Sequence, residues 1–163
     1  GETWYEGQSV NLAIGQGFLD VTPLQLAVAY SALANGGAVV RPHVAAAVVS
    51  PSGVERRLAF PPVRHVQLVD VNSIREGLYL AAHAPGGTSA AVFGNFPIAV
   101  AGKTGTAQVP SGSDDSWYAS WAPAWNPKVV VVVVIQHGGF GADAAAPAAR
   151  RIYQAFFARR AGR

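Results

Sequence analysis

The chain has 163 residues, 50% of them hydrophobic and 13% charged, with a net charge of +3, so it can bury a core and is not a disordered acidic or basic tail. It has no cysteine, which excludes a disulfide framework and a thiolate metal site. Its longest apolar run, Val129 to Ile135, is far short of the roughly 20 residues that a membrane helix needs.

Residues 1 to 17 hold few periodic apolar positions and four glycines, and are expected to form a surface segment. Thr22-Pro23-Leu24-Gln25 is a helix start: Thr22 can cap, Pro23 suits the first turn and Gln25 can complete a capping box. Leu26, Tyr30 and Leu33 then recur on one face, and Asn35-Gly36-Gly37 stops the helix. Ala38 to Val49 reads as an extended pair interrupted at Arg41-Pro42, with a turn at Pro51-Ser52-Gly53 and a break at Pro61-Pro62. A second helix is predicted from about Val69 to Ala82, with Val71, Ile74, Leu78 and Ala81 on one side, ended by Pro85-Gly86-Gly87.

The last third has the rhythm of strands. Ile98 to Ala107, Trp117 to Ala122 and Val129 to Gln136 are joined by turns at Pro110 to Ser113 and Pro123 to Pro127. The six successive valines do not alternate, and so suit a central strand covered on both faces. Asp143 is expected to cap a final amphipathic helix with Ala149, Ile152, Phe156 and Phe157 on its apolar side. Three consecutive strands form an antiparallel meander, and helices must cover both of its faces, which gives an α+β fold.

The chemistry concentrates in Ala101-Gly102-Lys103-Thr104-Gly105-Thr106-Ala107. A lysine within a buried strand needs a partner, and Lys103 and Lys128 are the only lysines in the chain. The small residues around Lys103 leave room for an extended peptide to pair with the strand, while its ammonium and the threonine hydroxyls attract a carboxylate. The bland alternative is a strand end with its lysine in water. Gly102-Lys103-Thr104 also mimics the end of a phosphate-binding loop, but Pro97 stands where that motif requires glycine. His43, His65, His83 and His137 show no metal-ligand spacing, and there is no Gly-x-Ser-x-Gly elbow. No metal and no cofactor are therefore expected. The arginines at 150, 151, 159, 160 and 163 lack a nucleic-acid recognition motif and read as a solvated helix face, so no nucleic-acid partner is expected either.

Several separate stretches resemble one family. Ile14-Gly15-Gln16-Gly17 with Val21-Thr22-Pro23-Leu24-Gln25, then Asn35-Gly36-Gly37, Arg41-Pro42 and Gly86-Gly87-Thr88, follow the order seen in penicillin-binding transpeptidases. Ala101 to Gln108 is similar to that family's third active-site motif, and Lys-Thr-Gly belongs to its signature set. Trp117-Tyr118, Asn126-Pro127-Lys128, His137-Gly138-Gly139 and Ala146 to Arg150 continue the likeness, in the manner of class B proteins of the cell-elongation type.

The resemblance implies that residues 1–163 are the C-terminal portion of one transpeptidase domain, an incomplete penicillin-binding or serine β-lactamase-like fold. It implies a peptidoglycan D,D-transpeptidase at the extracytoplasmic face of a bacterial membrane, anchored by a segment upstream of these residues. Its partners would be stem peptides, β-lactams and the missing N-terminal half of the domain. Lys103 and Thr106 would be catalytic, and Thr104, Gly105 and Thr106 would bind substrate. The departure is the nucleophile. Ser-x-x-Lys needs serine three positions before a lysine, and Val100 and Trp125 stand there instead. Ser9-Val10-Asn11 fits the middle motif's pattern but lies too close to Ile14 in sequence, and reads as coincidence. The chain alone is thus expected to be inactive and to present a bare sheet edge or apolar face open to self-association. The alternative is a stand-alone peptide-binding or self-assembling module of the same fold.

Overall fold

A computed structural model describes residues 4–161. Helix α1, Glu6–Ala13, opens them, where a surface segment was expected. Its first turn carries Glu6 at the positive end of the helix dipole, and the buried Gln8 accepts the Tyr5 amide through Oε1 at 3.1 Å. Helix α2, Pro23–Ala34, starts as the sequence dictates: Thr22 Oγ1 accepts the Gln25 amide and Gln25 Oε1 accepts the Thr22 amide at 2.8 Å.

The extended pair expected within 38–49 is corrected. Strand β1, Ala38–Val39, pairs antiparallel with β4, Arg64–His65, while β2, Ala47–Val49, pairs with β3, Glu55–Arg57. Two small ribbons therefore replace one hairpin. Arg41-Pro42 sends the chain away before β2, and the turn at 51–53, with Gly53 at φ +81°, lets β3 fold back on β2.

Helix α3, Val71–His83, begins two residues later than predicted, after Asp70 in left-handed geometry at φ 52°. Its inward stripe is also turned from the expected one. Ala82 is buried and Leu78 and Tyr79 pack inward, whereas Ile74 is exposed. A short helix α4, Ala90–Phe93, was not predicted; four residues are too few to show a period.

The main sheet joins β5, Ala101–Ala107, β6, Asp115–Ala122, and β7, Val129–Ile135, in the antiparallel order β5-β6-β7. The valine strand thus lies at an edge of this sheet and β6 at its centre. Burial on both faces nevertheless explains the valines. Val129, Val131 and Val133 join a core with Phe93, Tyr118 and helix α5, Ala145–Ala161, while Val130 faces Trp121 and α2.

The core is aromatic. Trp121, Tyr118, Tyr153 and Phe93 are fully buried, each contributing about 1.5–3 kcal/mol of apolar burial. Both buried phenols reach a backbone carbonyl through a serine. Ser120 Oγ donates to Val131 O at 3.2 Å, so its single proton is used and Tyr153 OH, 2.7 Å away, must donate to it. Ser89 relays Tyr118 to Ala81 O in the same way. Burial pushes both phenol pKa values well above the ordinary tyrosine value, so they stay protonated donors.

Helix α5 begins at Ala145, past the expected cap Asp143. Its Ala145 amide is accepted at 3.0 Å by Ser116 Oγ of β6, which itself donates to Phe140 O at 2.9 Å. Tyr153, not Ile152, points inward from this helix; Ile152 is 45% exposed.

Candidate active site

The four predicted site residues lie together on β5, whose one strand neighbour among the described residues is β6. Register places Lys103 opposite Ala119, Thr104 opposite Tyr118, Gly105 opposite Trp117 and Thr106 opposite Ser116. Alternation puts Gly102, Thr104 and Thr106 on the face covered by α5 and the fully buried tyrosines. Lys103 and Gly105 lie on the face of Trp117 and α2.

Two glycines set the surface of this strand. A Cβ on Gly102 would run into the Tyr118 hydroxyl and Ser120, so glycine here is a packing requirement. A Cβ on Gly105 would meet Trp117 Cβ at 3.2 Å, and its absence keeps the strand low beside Lys103. Gly141, in the turn before α5, lies so close to Gly105 and Trp117 that only glycine fits there.

Lys103 is exposed, which corrects the expectation of a lysine inside a buried strand. It follows from β5 being an edge: the side chain bends around that edge, and Nζ donates to Thr104 O at 3.0 Å and to Thr104 Oγ1 at 3.3 Å. Its partner is thus its own neighbour. Thr104, Gly105 and Thr106 are half-buried.

Residues in antiparallel strands alternate between those bonded to the neighbouring strand and those facing away, and the amide and carbonyl of one residue share an edge. Thr104 O and Thr106 O accept from side chains outside β6, so Thr104 and Thr106 present their amides and carbonyls along the open edge. The donor to Thr106 O is Gln16 Nε2 at 3.0 Å, from the loop between α1 and α2. Sequence reasoning gave Gln16 no role. Its signal was a long polar side chain between two glycines, which the structure places at φ +77° and +76°.

Trp117 Nε1 is buried beneath this region with no hydrogen-bond partner among the described residues. Ser9 lies on α1, where its Oγ accepts from Trp4 Nε1 at 2.9 Å. The histidines are dispersed: His43 stacks on Phe60, His65 lies in β4, His83 accepts the Val100 amide at 2.9 Å and His137 contacts Ser113 O. Among the described residues no three histidine or acidic side chains gather to hold a metal. No described helix is long and apolar enough to cross a membrane.

Comparison with known proteins gives this strand its context. Residues 1–154 match the family model described as penicillin binding protein transpeptidase domain. The chain is 34% identical over 168 residues to peptidoglycan D,D-transpeptidase MrdA of Haemophilus influenzae, covering 91% of this chain and 26% of that protein. It is 30% identical to peptidoglycan D,D-transpeptidase PbpA of Mycobacterium tuberculosis, covering 88% of this chain and 30% of that protein. The chain therefore spans between a quarter and a third of the length of these relatives.

Among solved structures, Pseudomonas aeruginosa PBP2 in complex with WCK 5153 superposes with a TM-score of 0.83 at 32% identity, over 95% of this chain and 33% of that one. The imipenem acyl-enzyme of penicillin-binding protein A from M. tuberculosis gives 0.75 at 28% identity, over 90% of this chain and 33% of that one. The mixed helical and antiparallel architecture is theirs. The chain belongs to the penicillin-binding protein transpeptidase family, within its class B proteins.

Proposed function

We propose that this chain supplies the substrate-binding strand of a serine-type peptidoglycan D,D-transpeptidase, and that the nucleophile comes from a segment outside these residues. The observation that carries the reading is the open edge of β5, where Thr104 and Thr106 present backbone groups beside an exposed ammonium. An extended stem peptide fits such an edge by backbone pairing, and the missing Cβ of Gly105 lets it approach closely. Thr104 and Thr106 hydroxyls hold its terminal carboxylate, with Lys103 supplying positive potential.

In the reaction a serine Oγ attacks the carbonyl carbon of the penultimate D-alanine. The bond to the last D-alanine nitrogen breaks, and that residue leaves as a free amine, taking up a proton. A neighbouring stem amine then attacks the ester, forms the cross-link and returns the serine. The Thr106 amide is one of two donors to the oxyanion, a contribution worth roughly 3 kcal/mol in other enzymes. A β-lactam acylates the same serine, in line with the imipenem acyl-enzyme of the structural relative. Stem peptides place the working protein at the outer face of a bacterial membrane.

No Ser-x-x-Lys occurs in these 163 residues, so they are expected to be inert alone. Intact-mass measurement after incubation with benzylpenicillin tests this. An adduct is expected on the full-length protein and none on residues 1–163, with Lys103→Ala slowing full-length acylation by roughly a hundredfold. A penicilloyl adduct on the 163-residue chain would overturn the assignment of the nucleophile.

A further inference from the structure

Gln16 is the only side chain between residues 11 and 20 that is not exposed. The loop that carries it is closed on the end of α1, with the Gln16 amide donating to Asn11 O at 2.9 Å and the Gly15 amide to Leu12 O at 3.0 Å. The two flanking glycines are both in left-handed geometry, which turns the Gln16 side chain out of the loop and onto β5. There Nε2 donates to Thr106 O, 90 positions away in the sequence.

The Thr106 carbonyl and amide project from the same edge of the strand. The two groups lie in adjoining peptide planes that meet at the Thr106 Cα, so holding the carbonyl limits the turning of φ and ψ there and with it the swing of the amide. The other carbonyl on this edge, Thr104 O, is held by Lys103, a residue of the strand itself. At Thr106 the strand depends on a donor from elsewhere, because β6 lies on its opposite side.

We propose that Gln16 is a positioning residue for the acyl-transfer reaction: its amide holds the Thr106 carbonyl and so restrains the Thr106 backbone, from which the Thr106 N–H is aimed at the developing oxyanion. The inference rests on the transpeptidase reading above. Gln16 does not touch the reacting atoms, and acts through Thr106. An amide donor in a hydrogen bond of this kind cannot be replaced by a carboxylate, which would bring a second acceptor against the carbonyl.

The test uses the full-length protein and a fluorescent penicillin, resolving pre-covalent affinity from the acylation rate by stopped flow. Gln16→Ala is expected to slow acylation roughly tenfold, the effect of one lost hydrogen bond, with pre-covalent affinity nearly unchanged. Gln16→Glu is expected to be slower still at neutral pH, despite its matched size. Thermal unfolding of each variant shows how much folded protein contributes. Acylation rates equal to wild type in both variants, or lowered only by the unfolded fraction, would overturn the positioning role and leave the transpeptidase reading standing. Absence of acylation in the wild-type protein would remove both.

Discussion

At the scale of single residues, the buried hydroxyls do more for this fold than the charged groups. Glu55 and Arg57 form an exposed ion pair at 3.6 Å, of a kind that contributes little. Ser120, by contrast, links two strands and the final helix through one proton relay. Ser120→Ala strands the Tyr153 phenol in an apolar core and is expected to cost about 1–3 kcal/mol. Tyr153→Phe leaves Ser120 bonded to Val131 O and is expected to cost less, about 1 kcal/mol. Urea unfolding of the two variants checks that order, and a costlier Tyr153→Phe would mean that the relay runs the other way. Gly102 was legible as a small residue beside Lys103, but its reason was not: the Tyr118 hydroxyl that excludes a side chain there comes from β6.

At the scale of elements, α3 is tied to the entry of β5 by one histidine. His83 Nε2 accepts the Val100 amide, which only a neutral ring can do, and the ring stacks on Tyr79 at 4.6 Å. Burial lowers the His83 pKa below its ordinary 6.5, with a contact to the Gly94 backbone offsetting part of the shift. The folded state then binds fewer protons than the unfolded state. Its contribution to stability is complete above pH 6.5 and is lost as pH falls from there through the folded-state value. Urea midpoints at neutral and mildly acidic pH are expected to fall for wild type more than for His83→Gln, whose amide oxygen can accept the Val100 N–H without titrating. Equal slopes would remove His83 from the acid response.

Legibility also differed by element. Helix α2 was readable because Thr22, Pro23 and Gln25 stabilise its start through bonds spanning three residues. Helix α5 was misplaced at its start because its first amide is satisfied by Ser116, 29 positions away, rather than by Asp143. Strands β3 and β4, with charged residues at Arg56, Arg57 and Arg64, carry no apolar alternation that could announce them.

At the scale of the molecule, the valine strand leaves one edge of the main sheet without a neighbour among the described residues. Phe18, Leu19, Val21 and Leu24 are exposed around the start of α2. A long apolar edge is a template for pairing with another chain. Residues 1–163 expressed alone are therefore expected to self-associate, with sedimentation rising with concentration, while a lysine at Val132 reduces that association. Monomers at every concentration would mean that the edge protects itself. Reversible dimers that bind peptide along β5 would favour the module reading over that of a transpeptidase portion.

The sequence by itself determined the helix start at Thr22, the three long strands, the antiparallel meander and the clustering of Lys103, Thr104, Gly105 and Thr106 on one of them. These are matters of local bonds, side-chain period and short turns, which a chain specifies over a few residues. Only the tertiary structure decided that β5 and β7 are the edges, that Lys103 is exposed, that Ser116 starts α5 and that Gln16 holds Thr106. Each of those depends on which distant segment fills the space beside a strand, and that is fixed by packing of the whole core rather than by any stretch of it.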